Sequence, residues 1–344
     1  MTDQVKKLAP QILDTIKSAK RILLHFHPNP DPDSVGSALA MTHALRGLGK
    51  EVTVIKGDSP MPEYLSFLPG YELITPKSYL EIDPTEFDLF LMLDISQPNR
   101  VTALGEINLP TLKTILIDHH ITAEPFAELN LIVPEYPATA QILGDLFHEW
   151  GIKLTPAIAA CLFIGLYSDT GGFKYQGTTK DTFLAVATLV ELAPNFTDLV
   201  FQMENNKTPA QLRYEGLALS SIELVGNGKA ALVVLSQAQL AAAGIRYEDV
   251  QGISIANHLK SVTGWEIGAT LIESAPGVTR ASFRTRDPKR FDLSKIAAAL
   301  GGGGHPAAAG AVLKMAVAAA RDLVVRKMVE LYPLLSIPPP HLLL

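Results

Sequence analysis

Four separate segments of the chain carry carboxylates and imidazoles that together could bind metal ions. The residues are His27, Asp31 and Asp33 in HPNPDPD, Asp94 in LMLDISQ, Asp118, His119 and His120 in IDHH, and Asp169 in YSDTGGF. So many carboxylates cannot share a cleft unless cations neutralise them. Oxygen ligands with a minority of imidazoles suit Mn²⁺ or Mg²⁺, and the lack of thiolates among them disfavours a structural zinc site.

Each segment taken alone also has an ordinary structural interpretation. Pro-Asp pairs are common in polar turns, and a single aspartate after a strand or before a helix is often a cap. A single histidine is often a hydrogen-bonded core residue, although two adjacent imidazoles after a carboxylate are harder to explain in that way. The metal-site hypothesis therefore depends on whether the fold brings the four segments together.

The predicted strands and helices around these segments indicate that the fold brings the four segments together. Apolar runs that read as buried strands precede three of them: RILLHF (21–26), DLFLML (88–93) and TILI (114–117). EVTVI (51–55) and NLIV (130–133) read as further strands. Strands that alternate with helical segments predict an α/β fold with a doubly wound, mainly parallel sheet. Such sheets place their chemistry just beyond the carboxyl ends of the strands. After the first segment we predict a helix with Ser34 as N-cap.

Length and pattern predict two domains. A chain of 344 residues is too long for one core. We assign 1–196 to the first domain, 197–220 to a helical linker, and 221–344 to a second, smaller α/β domain in which strand patterns resume.

Composition limits the partners. The net charge of −6 argues against a broad basic surface for long nucleic acid and permits a small anionic substrate. The N-terminus lacks the apolar core of a signal peptide, and no apolar run reaches the length of a membrane span. The lone Cys161 reads as a packed core thiol, and the lack of paired cysteines is compatible with a reducing cytoplasm. We therefore expect a cytoplasmic protein with no membrane partner.

The ordered set HPNPDPD, Asp94, DHH, Asp169 and GGGGHPAAAG resembles the DHH phosphoesterase superfamily, in the branch with a DHH-associated C-terminal domain. That branch includes nanoRNase/pAp phosphatases, phosphodiesterases for cyclic di-AMP or pApA, and RecJ-like exonucleases. The resemblance covers nearly the whole chain. It implies that 1–196 is the catalytic domain and that 221–344 binds nucleotide.

The resemblance also implies a role for each motif residue. One metal would be bound by His27, Asp31 and Asp94, and the second by Asp33, Asp94, His119 and Asp169, with Asp94 as the bridge. His120 would contact the scissile phosphate, and Asp118 would orient an imidazole. In the second domain, the implied substrate-binding residues are Arg284 in ASFRTR and Gly303, Gly304 and His305 in GGGGH; in the first, Arg100 would touch phosphate. A solvated ion pair for Arg100 and a flexible linker for the Gly run are the structural alternatives.

We expect a manganese-dependent enzyme that degrades short oligonucleotides to mononucleotides and removes phosphate from pAp. A phosphodiesterase for cyclic di-AMP or pApA, a RecJ-like exonuclease, and a nucleotide-binding regulator without activity are the rivals. The intact ligand set disfavours the regulator. The sequence does not choose among the substrates, and the oligomeric state, a homodimer included, stays open.

Overall fold

The apolar runs of the first half of the chain form a sheet in the computed structural model, which describes residues 1–102, 104–105, 109, 111–175, 177–193, 195–250 and 253–336. The chain divides into two units, Met1–Asn206 and Lys207–Leu344. The division falls inside the segment 197–220, whose role as a linker stays a prediction. The last residues of the predicted second domain, 337–344, lie outside the described residues.

Unit 1 is built from alternating strands and helices. Its strands are β1 Arg21–Phe26, β2 Glu51–Ile55, β3 Ile74–Thr75, β4 Leu89–Leu93, β5 Lys113–Asp118 and β6 Leu129–Ile132. Its α-helices are α1 Asp3–Ser18, α2 Pro32–Gly47, α3 Thr139–Glu149, α4 Pro156–Asp169, α5 Lys180–Leu192 and α6 Phe196–Glu204. Short 3₁₀ helices span Glu63–Leu65, Tyr71–Leu73, Tyr79–Glu81, Pro84–Glu86 and Pro98–Arg100.

The six strands of unit 1 pair in the order β3-β2-β1-β4-β5-β6, and every pairing is parallel. This is the strand order of a doubly wound sheet, with its reversal between β1 and β4. The predicted fold class is confirmed. Strands β1, β4 and β5 precede three of the four polar segments. The strand order brings the carboxyl ends of these three strands side by side.

Alternating residues of the strands bury both faces of this sheet. On one face Ile22 and Leu24 pack in a core together with buried helix residues such as Leu39. On the other face Leu23 and Phe90 pack in a smaller core to which loop and 3₁₀ segments contribute. Helices therefore cover one face, while shorter segments complete the other.

The start of α2 differs from the prediction. Asp31, not Ser34, is the N-cap: its side chain accepts a hydrogen bond from the backbone N–H of Ser34. The Ser34 hydroxyl accepts from the backbone N–H of Asp31, which completes a capping box. Pro32 takes the first helical position, where its missing N–H and fixed φ are favourable. The predicted N-cap was wrong because this proline starts the helix earlier.

Unit 2 forms a second sheet of six strands. They are β7 Ile222–Val225, β8 Ala230–Leu235, β9 Ile267–Ala275, β10 Val278–Thr285, β11 Gly303–His305 and β12 Ala308–Leu313. The helices are α7 Pro209–Ser220, α8 Gln237–Ala242, α9 Ile255–Leu259, α10 Leu293–Ala299 and α11 Val317–Leu331, with 3₁₀ helices at Tyr247–Asp249 and Pro333–Ser336. The strand order is β11-β12-β10-β9-β8-β7, and only β8 and β9 pair in parallel.

No single helix of the described ranges is long and apolar enough to cross a membrane. Among the described residues, α5 and α6 taken together reach the required length and composition, with an angle of 107° between the two helices. Cys161 is fully buried in α4, as predicted for a core thiol, and burial raises its pKa.

Candidate metal centre

Strand and helix ends position the predicted ligands of unit 1. His27 directly follows β1, and Asp94 directly follows β4 with a positive φ of 60°. Asp118 is the last residue of β5, so His119 and His120 follow it at the same edge of the sheet. Residues 31 and 33 lie at the start of α2, while Asp169 is the last residue of α4.

The structure brings these side chains into three overlapping groups, each with ligand atoms within 4.8 Å of one another. The groups are His27, Asp31 and Asp94; Asp33, His119 and Asp169; and Asp94, His119 and His120. The first group and the second contain every metal ligand that the family resemblance implies. Asp94 and His119 each belong to two groups, so the groups form one continuous cluster.

Individual distances within the cluster are those of close ion pairs. His27 Nε2 lies 3.3 Å from Asp31 Oδ2 and 3.3 Å from Asp94 Oδ2. His119 Nε2 lies 3.3 Å from Asp169 Oδ2, 3.7 Å from Asp94 Oδ1 and 3.9 Å from Asp33 Oδ2. Both imidazoles therefore direct Nε2 towards two or more carboxylates.

The opposite ring nitrogens of His27 and His119 face backbone carbonyls. His27 Nδ1 lies 2.8 Å from the carbonyl oxygen of Pro28, and His119 Nδ1 lies 3.3 Å from that of Tyr136. A proton on Nδ1 satisfies each carbonyl and leaves the Nε2 lone pair for a cation. This backbone-anchored arrangement is typical of metal-ligating histidines.

His120 is oriented differently. Its Nδ1 lies 2.9 Å from Asp118 Oδ1 and 3.3 Å from Asp94 Oδ1. The same Asp118 oxygen accepts the backbone N–H of His120 at 2.5 Å. The His120 side chain is 38% exposed, against 8% for His27 and 14% for His119. Its Nε2 is therefore the ring nitrogen best placed to meet a substrate.

Asp33 is held by the start of α3. Its two oxygens accept the backbone N–H groups of Thr139 at 2.7 Å and Ala140 at 3.0 Å. The Thr139 hydroxyl also donates to Asp94 Oδ1 at 3.1 Å. Gly165 permits this arrangement, because a Cβ at that position would lie 2.7 Å from Asp33 Oδ1. The helix N-terminus thus fixes a fully buried carboxylate at the strand edge.

The charges of the cluster shift one another's pKa values. Burial opposes protonation of His27, but the Asp31 and Asp94 carboxylates outweigh it and raise its pKa to about 11. The same balance raises the pKa of His119 to about 9, mainly through Asp169, and that of His120 to about 10, mainly through Asp118. Burial and the neighbouring carboxylates raise the pKa of Asp33 well above its usual range.

A divalent cation fits the donors that are present. Asp94 Oδ2, Asp118 Oδ2 and His119 Nε2 are buried without a hydrogen-bond partner within the described part of the chain. Such orphaned atoms are costly unless something else satisfies them. In the cluster itself only imidazoles could carry positive charge, so bound cations would supply what the carboxylates lack.

The remaining predicted residues lie elsewhere. Arg100 ends the 3₁₀ helix Pro98–Arg100 and is exposed. Arg284 lies on β10 of unit 2, and residues 303–305 form β11. We did not predict the part played by Thr139. A hydrogen bond from the Thr139 hydroxyl could have been suspected, because Thr139 lies where a helix starts. The backbone N–H groups of residues 139 and 140, which donate to Asp33, leave no signal in the sequence.

Comparison with known proteins gives matches over both units. The family described as DHH family, N-terminal domain, matches residues 21–166, and the DHHA1 domain matches residues 237–330. The bifunctional oligoribonuclease and PAP phosphatase NrnA of Thermus thermophilus is 30% identical over 310 residues, which are 90% of this chain and 88% of that protein. The Bacillus subtilis protein of the same name is 25% identical over 305 residues, 88% of this chain and 92% of its own.

A solved structure has the same fold. The exopolyphosphatase-related protein from Bacteroides fragilis superposes with a TM-score of 0.86 and 22% identity. The match covers 96% of this chain and 98% of that chain. At this identity the similarity shows the shared fold alone.

Proposed function

The chain belongs to the DHH family, and we propose that it is a two-metal phosphodiesterase that hydrolyses short oligonucleotides to mononucleotides and also removes phosphate from pAp. The carrying observation is that two ligand groups, His27–Asp31–Asp94 and Asp33–His119–Asp169, lie in one cluster. Asp94 Oδ1 also lies 3.7 Å from His119 Nε2, so the Asp94 carboxylate can reach both groups.

Mn²⁺ is the proposed cofactor, with Mg²⁺ as a substitute, because the donors mix carboxylate oxygen with imidazole nitrogen. Two such ions, when bound, would lower the pKa of a water and neutralise charge that develops on the phosphoryl oxygens. His27, Asp31, Asp33, Asp94, His119 and Asp169 are the proposed ligands.

His120 has a different proposed role. Asp118 holds its Nδ1, and Nε2 of this partly exposed side chain would donate a hydrogen bond to the scissile phosphate. Because the Asp118 carboxylate favours the protonated ring, His120 would offer a positively charged donor to the phosphate. Arg100, which is exposed, is proposed to touch phosphate as well.

Unit 2 is proposed to bind the rest of the substrate through Arg284, Gly303, Gly304 and His305. The substrate class rests on the relatives: the Thermus and Bacillus proteins are described as both oligoribonuclease and PAP phosphatase. The acidic net charge agrees with a short substrate, since long polymers need many phosphate contacts.

The test is a product profile. The purified chain with Mn²⁺ is given 5′-labelled oligonucleotides of two to five residues, pAp, pApA and cyclic di-AMP. We expect mononucleotides from the short oligomers and AMP from pAp, and no activity from the His119→Ala variant. Hydrolysis confined to cyclic di-AMP or pApA would establish the dinucleotide alternative, and no hydrolysis of any ester would refute the proposal.

A further inference from the structure

Strand β1 contains a fully buried histidine that belongs to neither proposed ligand group. His25 projects to the same face as Leu23 and lies beside the smaller core, with its ring centroid 6.4 Å from those of Tyr79 and Phe90. Burial lowers the pKa of His25, which favours the neutral ring. A neutral imidazole has one N–H to donate, and a buried donor needs a partner. The partner of that N–H therefore indicates what the side chain does.

Each ring nitrogen of His25 faces a backbone carbonyl. Nε2 lies 2.8 Å from the carbonyl oxygen of Val101, and Nδ1 lies 3.5 Å from that of Ile55. The shorter distance favours the proton on Nε2, so His25 donates to Val101, 76 residues further along the chain. Val101 is fully buried and directly follows the 3₁₀ helix Pro98–Arg100. His25 therefore anchors the end of that helix to β1, a central strand of the sheet.

A second contact anchors the next residue. The Thr102 hydroxyl donates to Asp58 Oδ2 at 2.7 Å. Asp58 lies in the loop after β2, and this loop packs against the His25 ring at Gly57, where a Cβ would lie 2.9 Å from His25 Cε1. Gly57 also has a positive φ of 72°, which glycine adopts without strain. One loop thus closes over His25 and holds Thr102, so that adjoining contacts fix two consecutive residues.

The anchored segment begins at the metal centre. The Asp94 backbone N–H donates to the Ile117 carbonyl oxygen at 2.9 Å, and the Thr139 hydroxyl donates to the Asp94 carboxylate. These contacts hold the start of the segment without His25. The helix Pro98–Arg100 is a single 3₁₀ turn, and an isolated turn has little stability of its own. The position of its last residue, Arg100, therefore depends on the anchors that follow it.

We propose that His25 is a positioning residue that sets where Arg100 meets the phosphate of the substrate, with the contact between Thr102 and Asp58 as a second anchor. This inference rests on the proposed function, in which Arg100 touches phosphate. The Arg100 side chain is exposed, so the backbone of its turn determines what it can reach. Because Asp94 is held by other contacts, loss of the His25 anchor should displace Arg100 and leave the metal ligands in place.

The experiment is a double-mutant cycle on kcat/KM for pApA with His25→Leu, Arg100→Ala and both changes together. Arg100→Ala should lower kcat/KM about 10–100-fold, the worth of one charged hydrogen bond. His25→Leu should lower it about 10-fold, since a small displacement of a substrate-positioning group costs up to about 100-fold. The double variant should lose little beyond Arg100→Ala, because the His25 anchor acts through Arg100.

Conservative variants separate this role from a merely structural one. His25→Gln can place an amide N–H where Nε2 lies and should recover most of the rate, whereas the shorter amide of His25→Asn cannot reach Val101 and should behave like His25→Leu. His43→Leu is the matched control, because His43 Nε2 also lies 2.9 Å from a backbone carbonyl, that of Pro69, in a segment without a proposed site residue. The rise of Tm with Mn²⁺ should be the same in all of these variants.

Hydrogen exchange of residues 95–102, followed by mass spectrometry on the full chain, reports the anchor without any turnover. Exchange should be faster in His25→Leu and His25→Asn than in the wild type, and unchanged in His25→Gln and His43→Leu. Thr102→Val removes the second anchor without altering β1. This variant should show the same faster exchange and the same dependence on Arg100, and it replaces the His25 variants in the cycle where those fail to fold.

Two results would overturn the inference. One is unchanged exchange of residues 95–102 in His25→Leu, and the other is a double variant in which the losses of His25→Leu and Arg100→Ala multiply. If the chain hydrolyses pApA and His25→Leu stays within about twofold of the wild-type rate, the positioning role is wrong and the proposed function stands. If the wild type hydrolyses none of the esters, it is the proposed function that fails, and the phosphate contact of Arg100 fails with it.

Discussion

Replacement of Asp118 by Asn tests how the cluster holds His120. Asp118 is fully buried, and one of its oxygens accepts from both Nδ1 and the backbone N–H of His120. An amide has the same shape and can still accept through its oxygen, so the fold should be retained. What the change removes is the negative charge that favours the protonated ring.

The expected loss follows from that one contact. A charge-assisted hydrogen bond is roughly twice as strong as a neutral one, and a bond to a charged group is worth about 1.5–3 kcal/mol. Losing half to all of it costs about 1–3 kcal/mol, which corresponds to a fall in kcat/KM of about 5–150-fold. Because His120 is assigned to the scissile phosphate, the fall should be similar for pApA and for bis-p-nitrophenyl phosphate.

Steady-state kinetics on a four-variant cycle checks this reasoning. Asp118→Asn in a His120→Ala background should cause little further loss, since the two residues act as a unit. Asp88→Asn is the control: Asp88 also accepts two backbone N–H groups, from residues 20 and 21, but at the amino edge of the sheet. A rate for Asp118→Asn within twofold of wild type, or additive losses in the cycle, would refute the orienting role.

Three further predictions concern the metal requirement, the length of the substrate, and the separate roles of the two units. Excess EDTA should abolish hydrolysis, and Mn²⁺ should restore it better than Mg²⁺; full activity in EDTA would contradict the metal requirement. In the same assay Asp94→Asn should lose more activity than Asp31→Asn, because Asp94 belongs to two ligand groups and Asp31 to one. Dimers to pentamers should be cleaved faster than strands of tens of nucleotides on a labelled ladder, with a modest salt dependence; a preference for long single strands would favour the RecJ-like alternative. His305→Ala or Arg284→Ala should lower turnover of short RNA about 10–100-fold and largely spare bis-p-nitrophenyl phosphate, whereas His119→Ala should abolish both; equal losses on the two substrates would show that unit 2 acts in the chemistry.

Strand positions could be predicted because burial on both faces leaves a clear apolar run. The run RILLHF coincides with β1, and the runs before Asp94 and Asp118 end at the carboxyl edge as expected. With parallel pairing, those ends had to meet at one edge. Asp169 was harder to place, because it joins the cluster from the end of a helix that packs against α2 rather than from the end of a strand.

The hydrogen-bond partners of the ligands could not be predicted. Asp33 is held by the backbone N–H groups of residues 139 and 140 at the start of α3. Almost any residue type at these two positions would offer the same N–H groups, so the residue types do not reveal the contact. The capping role of Asp31 was missed for a related reason: both Asp31 and Ser34 are good N-caps, and only the position of Pro32 in the folded chain decides between them. The N-cap preferences of the two residue types alone are compatible with a helix that starts after either Asp31 or Ser34.

The buried acids of the cluster imply that metal binding also stabilises the fold. Asp33 and Asp94 in the cluster, and Asp118 beside His120, are almost completely buried. Among the described residues of the cluster, only the imidazoles could carry positive charge. Such an arrangement costs stability, which is typical of a site kept for function. A cation that binds only the folded chain adds about 2.7 kcal/mol at a concentration 100 times its Kd.

In a unit the size of Met1–Asn206, 1 kcal/mol shifts Tm by about 2–4 °C, so at that concentration each bound Mn²⁺ should raise Tm by about 5–11 °C, and the two proposed ions together by about 11–22 °C. Differential scanning fluorimetry with Mn²⁺ against EDTA measures the shift without any substrate. Asp94→Asn should show a much smaller shift, because its change weakens both ligand groups. Its Tm in EDTA should lie below that of the wild type, since the amide loses the attraction that the His27 and His120 imidazoles exert on the Asp94 carboxylate, so the Mn²⁺-induced shift and not the absolute Tm is compared. A wild-type Tm that is the same in Mn²⁺ and EDTA, or an equal rise in the variant, would mean that these carboxylates do not bind the cation.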